Sequence, residues 1–90
     1  MVNGTTQTGF QFQADPEIVN DAEFLEKFVS IQKGEGLVIF EVIEDILGTD
    51  GKKRLYDHCR DKNGRVPLLT VSEEFNDICT ILAKNEQTKN

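Results

Sequence analysis

The segment that most constrains the fold of this chain is residues 34–48, where large apolar side chains are concentrated between glycines. Eight of the eleven residues in 37–47 are large and apolar. The other three, Glu41, Glu44 and Asp45, stand at i, i+3 and i+4, so on a helix they form one narrow polar stripe. On a strand they would place charge on both faces. The spacing favours a helix at the centre of the core, and the β-branched start of the segment keeps a strand as the alternative.

Helix signals also lie before this central segment and at its end. Asn20 and Glu23 resemble a capping box in front of a helix over residues 22–32. Gly48 suits the position after the central helix, because glycine adopts a left-handed conformation without steric cost. The apolar residues of the first helix recur at helical spacing and are Phe24, Leu25, Phe28, Val29 and Ile31.

Two further helices are expected downstream. A short basic helix over residues 52–60 is followed by a turn at residues 61–64, where Asn and Gly tolerate positive φ. Thr70 and Glu73 resemble a second capping box for a last helix that runs from residue 67 or 70 to about residue 84. The amphipathic pattern of this last helix is the clearest in the chain and consists of Leu68, Val71, Phe75, Ile78, Cys79 and Leu82.

The sequence therefore predicts an all-α fold, a small bundle of about four helices near residues 20–32, 36–47, 51–60 and 68–84. These helices form a single domain over residues 15–86, followed by a polar tail at residues 87–90. Residues 1–14 are expected to form a flexible N-terminal arm. The alternation of Phe10 and Phe12 with glutamines suits a short strand at residues 10–13, or an arm laid on a neighbouring molecule.

Composition narrows the class of protein. The formal net charge is −6, which disfavours a general nucleic-acid binder, because such proteins need a positive surface. No apolar run approaches the roughly 20 residues of a membrane span, so no membrane partner is expected. The two cysteines, Cys59 and Cys79, are too few for a disulfide framework and are expected to be free thiols in a cytoplasm.

No constellation of residues indicates catalysis. His58 is the only histidine, and on a helix the adjacent Cys59 points about 100° away from it, so the two form no local Cys–His pair. His58, Cys59 and Cys79 do not complete a tetrahedral zinc site, and no metal or cofactor is expected. His58 is predicted to be a solvated helical residue and Cys79 a core residue. An enzyme is the least favoured class.

Acidic and basic residues are unevenly distributed along the chain. Residues 1–51 carry ten acidic and two basic side chains, whereas residues 52–65 carry six basic and two acidic ones. One interpretation of the basic segment, without any partner, is an ordinary solvated helix with a turn. The functional interpretation is an electrostatic contact with an acidic protein surface, favoured over a phosphate backbone by the net charge. An acidic patch on one copy could also meet the basic patch of the next in a weak head-to-tail homo-oligomer. The residues predicted to mediate such contacts are Phe10, Phe12, Lys52, Lys53, Arg54, Arg60 and Arg65.

The order of these elements resembles the small tail assembly chaperones of long-tailed bacteriophages. The resemblance covers roughly residues 15–80, and its most specific part pairs a Leu-Gly helix end with a downstream Gly-Arg-Val turn. The chain departs from the family at residues 51–54, where an acidic and aromatic stretch is common, and in a shorter arm before Asp15. The matching residues are Asp15-Pro16-Glu17, Phe24-Leu25, Ile46-Leu47-Gly48, Leu55 and Arg60-Asp61-Lys62-Asn63-Gly64-Arg65-Val66-Pro67.

The resemblance implies a non-catalytic protein that holds the tape-measure protein soluble and helps to recruit tail-tube subunits. Proteins of this kind self-associate and act in the cytoplasm of the bacterial host during phage assembly. A different class remains open: a small helical DNA-binding regulator, with residues 52–60 as the recognition helix. This alternative is disfavoured because the basic residues are concentrated at the start of the helix and are not distributed along the face that would contact base edges.

Overall fold

The computed structural model describes residues 1–88, with side chains described through residue 84. The chain is mostly helical, as predicted, but it combines three α-helices with a two-stranded antiparallel sheet, so the expectation of an all-α fold with four helices is wrong. Two short 3-10 helices precede the first and second α-helices. The elements in order are β1 (Val2–Thr5), β2 (Gln11–Ala14), the 3-10 helix Pro16–Asn20, α1 (Ala22–Gln32), the 3-10 helix Gly36–Val38, α2 (Ile39–Cys59) and α3 (Leu68–Thr88).

The predicted second and third helices are the two halves of α2. Gly48 interrupts the helical backbone with φ of 78° and ψ of 171°, a combination that only glycine adopts readily. The positive φ expected for this residue is thus confirmed. The chain resumes its helical course directly at Thr49, whereas the sequence had suggested a separate capped helix. Gly48 therefore separates two helical halves of α2 that follow each other without a connecting loop.

The N-terminal residues form a hairpin packed on the helices. Val2 pairs with Ala14 and Thr5 with Gln11, and Gly9, with φ of 93°, closes the connection. The strand expected at residues 10–13 is confirmed within one residue, as β2, but the arm is not free. Phe12 and Ala14 face the core, and burying a large apolar side chain contributes roughly 1.5–3 kcal/mol, which offsets the entropy lost on ordering the strand.

The core lies between the hairpin, α1 and the facing sides of α2 and α3. From the apolar segment 37–47, four side chains are buried and three are half-buried, but Leu37 is 81% exposed and does not belong to the core. Lys27 on α1 reinforces the packing with an ion pair to Asp45, at 2.8 Å between Nζ and Oδ2. The buried apolar residues are Phe10, Phe12, Ala14, Phe24, Ile39, Val42, Ile43, Ile46, Leu55, Cys59, Val71, Phe75, Ile78 and Leu82.

The helix ends differ in detail from the capping boxes expected from the sequence. Asp21, not Asn20, caps α1, because its carboxylate accepts hydrogen bonds from the backbone N–H groups of Glu23 and Phe24. Thr70 is not a cap, since α3 already begins at Leu68. At its other end α3 continues past residue 84 to Thr88. The predicted polar tail thus begins inside α3, and residues 89–90 lie outside the described part of the chain.

Candidate interaction surfaces

A buried carboxylate on α3 accepts hydrogen bonds from the tip of the hairpin. Glu74 on α3 is only 3% exposed and accepts hydrogen bonds from the hydroxyls of Thr6, at 2.8 Å, and Thr8, at 2.7 Å. The backbone N–H of Gln7 donates to Asp77 Oδ2 at 2.6 Å, one turn further along α3. These bonds satisfy a charge that would be costly to bury alone.

His58 extends this network to α2. Its Nε2 lies 2.9 Å from the Thr8 hydroxyl oxygen. The Thr8 hydroxyl donates its proton to Glu74 and can accept a hydrogen bond from the His58 ring in the tautomer that carries a hydrogen on Nε2. The arrangement holds the hairpin in place. Sequence analysis missed Thr6, Thr8 and Glu74, which are far apart in the chain.

The two thiols are unreactive by environment. Burial raises the pKa of Cys79 to about 12, and burial together with the charge of Glu74 raises the pKa of Cys59. A raised pKa keeps a thiol protonated and weakly nucleophilic near neutral pH. Among the side chains of residues 1–84, no three His, Cys, Asp or Glu groups lie closely enough together to hold a metal ion. None of the helices among residues 1–88 has the length and apolar character needed to cross a membrane.

Three of the five basic residues predicted as an interaction surface are engaged by contacts within the chain. Lys52 pairs with Glu44 at 3.3 Å, and Arg54 donates to the Gln11 carbonyl at 2.6 Å. Arg60 is engaged in the same way, because its guanidinium bonds to the Asp57 carboxylate and the Gly64 carbonyl. Of the five basic residues in the predicted set, only Lys53 and Arg65 are exposed with neither an ion pair nor a side-chain hydrogen bond among residues 1–84.

The two aromatic residues of the predicted interaction surface are core residues. Phe10 and Phe12 are both buried in this structure, with their rings stacked 6.5 Å apart between centroids. The guanidinium of Arg54 covers the Phe10 ring at 5.2 Å, a cation–π contact that seals the hairpin against α2. The structure therefore removes both aromatic rings from the predicted contact surface.

The exposed apolar side chains lie elsewhere. Leu68 and Leu69, in the first turn of α3, are 61% and 73% exposed. Leu25 and Val29 form a second exposed pair, one turn apart on the outer side of α1, with 46% and 44% exposure. Sequence analysis had assigned Leu25, Val29 and Leu68 to apolar helix faces that would pack in the core. Helical spacing identifies residues that share a face, but it does not show whether another element covers that face.

Comparison of the chain with protein-family models, with curated proteins and with solved structures found no match.

Proposed function

We propose that this protein is a tail assembly chaperone of a long-tailed bacteriophage, acting by binding and not by catalysis. In this proposal it binds the tape-measure protein, helps to recruit tail-tube subunits and works in the cytoplasm of the bacterial host. The observation that carries the proposal is the exposed pair Leu68 and Leu69 at the start of α3. Two neighbouring leucines exposed to this extent suit a contact with another protein.

The position of the pair links it to the family resemblance. Leu68 and Leu69 directly follow residues 64–67, which contain the Gly-Arg-Val turn that, paired with the Leu-Gly helix end, is the most specific part of that resemblance. Arg65, whose side chain is exposed, lies three residues before Leu68. An apolar contact beside a basic one fits an amphipathic helix with acidic residues on its flank, and long helical clients such as tape-measure proteins present such helices.

Co-expression with the tape-measure protein tests this proposal. The chain is expected to co-purify with that protein and to keep it in solution, whereas Leu68→Asp combined with Leu69→Asp should abolish both effects. Acidic residues in the first turn of a helix are favourable, so this variant should still fold. Leu37→Asp is the matched control, because Leu37 is equally exposed but lies far along the chain. Binding that survives the double substitution contradicts the proposed surface.

The gene neighbourhood gives an independent test of the proposed function. A tail-tube gene upstream and a gene for a very long coiled-coil protein downstream are expected. A neighbourhood without tail genes would contradict the proposed function, whichever surface binds the client.

A further inference from the structure

The chain contains two Asn-Gly pairs, Asn3-Gly4 and Asn63-Gly64, in different structural settings. An asparagine followed by glycine is especially prone to cyclise, because glycine has no side chain to hinder an attack by its own backbone nitrogen. The attack is directed at the side-chain carbon Cγ of the asparagine. Its rate in a folded chain therefore depends on how firmly the glycine nitrogen is held.

The first pair lies in β1, against the core. The backbone N–H of Thr6 donates to the carbonyl of Phe10 at 2.9 Å. Hydrogen-bonded pairs alternate along antiparallel strands, so Gly4 again stands in a hydrogen-bonded pair with Phe12. Phe12 is buried, and its ring lies directly over Gly4. Freeing the Gly4 nitrogen thus requires the hairpin to leave the core.

The second pair lies in the exposed turn between α2 and α3. The side chain of Asn63 is exposed, and no heavy atom lies within 4 Å of the position that a Cβ would take at Gly64. Asp61 closes this turn, because its carbonyl accepts from the Gly64 N–H at 3.0 Å. Its carboxylate also accepts from the backbone N–H groups of Asn63, at 2.9 Å, and Arg65, at 3.0 Å. Freeing the Gly64 nitrogen requires only a local opening of the turn, which costs less than unpacking a core strand.

We propose that Asn63 is a site of spontaneous deamidation in the folded chain, and that Asp61 is the positioning residue that sets its rate. When the turn opens, a base in the solvent removes the proton of the Gly64 nitrogen, and this nitrogen attacks Cγ of Asn63. The new N–Cγ bond closes a succinimide ring, while the bond from Cγ to Nδ2 breaks and Nδ2 leaves as ammonia. Water then opens the ring at either carbonyl, which gives aspartate or isoaspartate without any transfer of electrons.

The product changes the turn that precedes α3. It adds a carboxylate close in the chain to the exposed basic residues Lys62 and Arg65, so it lowers the positive charge of this segment. Isoaspartate also routes the main chain through the side-chain carbon, which adds a methylene to the backbone of the turn. The inference concerns the covalent state of the chain and is independent of the client surface proposed on α3.

Peptide mapping by mass spectrometry, after incubation of the intact chain at mildly alkaline pH, tests the assignment. In the folded chain Asn63 should deamidate about tenfold faster than Asn3, because local opening of the turn is more frequent than opening of the hairpin. In concentrated denaturant the two rates should become similar. Equal rates in the folded chain would overturn the assignment. An undiminished difference in denaturant would overturn it as well, because the preference would then come from sequence neighbours and not from the fold.

Variants of Asp61 test the control of the rate. Asp61→Ala should accelerate deamidation of Asn63 about tenfold in the folded chain, since two hydrogen bonds that keep the turn closed are lost. The rate in denaturant should not change. Asp61→Asn should stay close to the parent, because its amide oxygen accepts the same two bonds.

Asp50→Ala is the matched control, since it removes the same charge from an exposed side chain of α2, outside the turn. It should leave the deamidation rate of Asn63 unchanged. The role of Asp61 is overturned if Asp61→Ala deamidates at the parent rate, or if Asp61→Asn or Asp50→Ala accelerates the reaction as much as Asp61→Ala.

Discussion

The N-terminal hairpin and α3 contribute to the same core in opposite ways. α3 carries its own apolar stripe, with Val71, Phe75 and Ile78 buried at helical spacing. The hairpin has no charged side chain in residues 1–14, and an isolated two-stranded hairpin is marginally stable at best in water. Its order depends on contacts with α2 and α3. The difference shows that an element with a weak local signal can be fixed by the surface on which it packs.

The largest expected effect tests whether the hairpin is part of the cooperative core. Phe12→Ala should lower the free energy of unfolding by roughly 3–5 kcal/mol, because it leaves a cavity between the hairpin and the helices. The Phe12 ring lies directly over Gly4 on the paired strand, where an added Cβ would come within 2.5 Å of it. Urea denaturation measures the change.

Leu82→Ala provides the comparison on α3, since Leu82 is fully buried in the same core. A loss of roughly 2–5 kcal/mol is expected there. If Phe12→Ala unfolds like the parent while Leu82→Ala is destabilised, the hairpin lies outside the cooperative unit and the comparison fails.

A second prediction concerns the polar attachment of the hairpin tip. The Thr6 hydroxyl donates to Glu74 and accepts from the backbone N–H of Phe10, at 2.8 Å and 3.1 Å. Thr6→Val keeps the shape of the side chain but leaves both buried partners short of a hydrogen bond, at an expected cost of about 1–3 kcal/mol. Thr5→Val is the control, because Thr5, the last residue of β1 and the neighbour of Thr6, is exposed and its substitution should change stability by less than about 0.5 kcal/mol. Equal effects of the two substitutions would mean that Glu74 does not hold the hairpin.

Local signals in the sequence predicted most of the helical part of the fold. The apolar spacing gave α1 as residues 22–32, which is its observed extent, although Asp21 caps it and not Asn20. The glycines at positions 48 and 64 were placed at a helix end and a turn, and both have positive φ. These features depend on residues close in the chain, so their physical causes are visible in the sequence.

The hairpin and the interaction surfaces could not be predicted in the same way. β1 has almost no apolar alternation, and its pairing is fixed by Phe12 and by the distant Glu74. The partners of Lys52 and Arg54 lie 8 and 43 residues away, so the charge count of the segment gave no sign that they were engaged. The exposure of Leu69 follows from the absence of a covering element among the described residues, which is a tertiary property.

The smallest expected effect is a pH dependence of the free energy of unfolding that comes from α3 and not from the hairpin. Burial raises the pKa of Cys79 from the ordinary 9.0 to about 12, so the folded chain keeps this proton over a range in which the unfolded chain loses it. The raised pKa of Cys79 therefore stabilises the folded chain fully below about pH 9, and this stabilisation is lost as the pH rises toward 12. The loss amounts to about 1 kcal/mol by pH 10. The free energy of unfolding of the parent and of Cys79→Ala, measured at pH 8 and pH 10, should differ in slope by that amount.

The same measurement in the Thr6→Val background sharpens the comparison. The pKa of Cys79 is raised by burial alone, whereas that of Cys59 is also raised by Glu74, to which the hairpin tip is bonded. Because Glu74 has no part in the shift of Cys79, weakening the hairpin should lower stability at both pH values by the same amount and leave the Cys79 slope intact. If Thr6→Val removes that slope, the burial of Cys79 depends on the hairpin tip, and α3 does not bury its own apolar face without it.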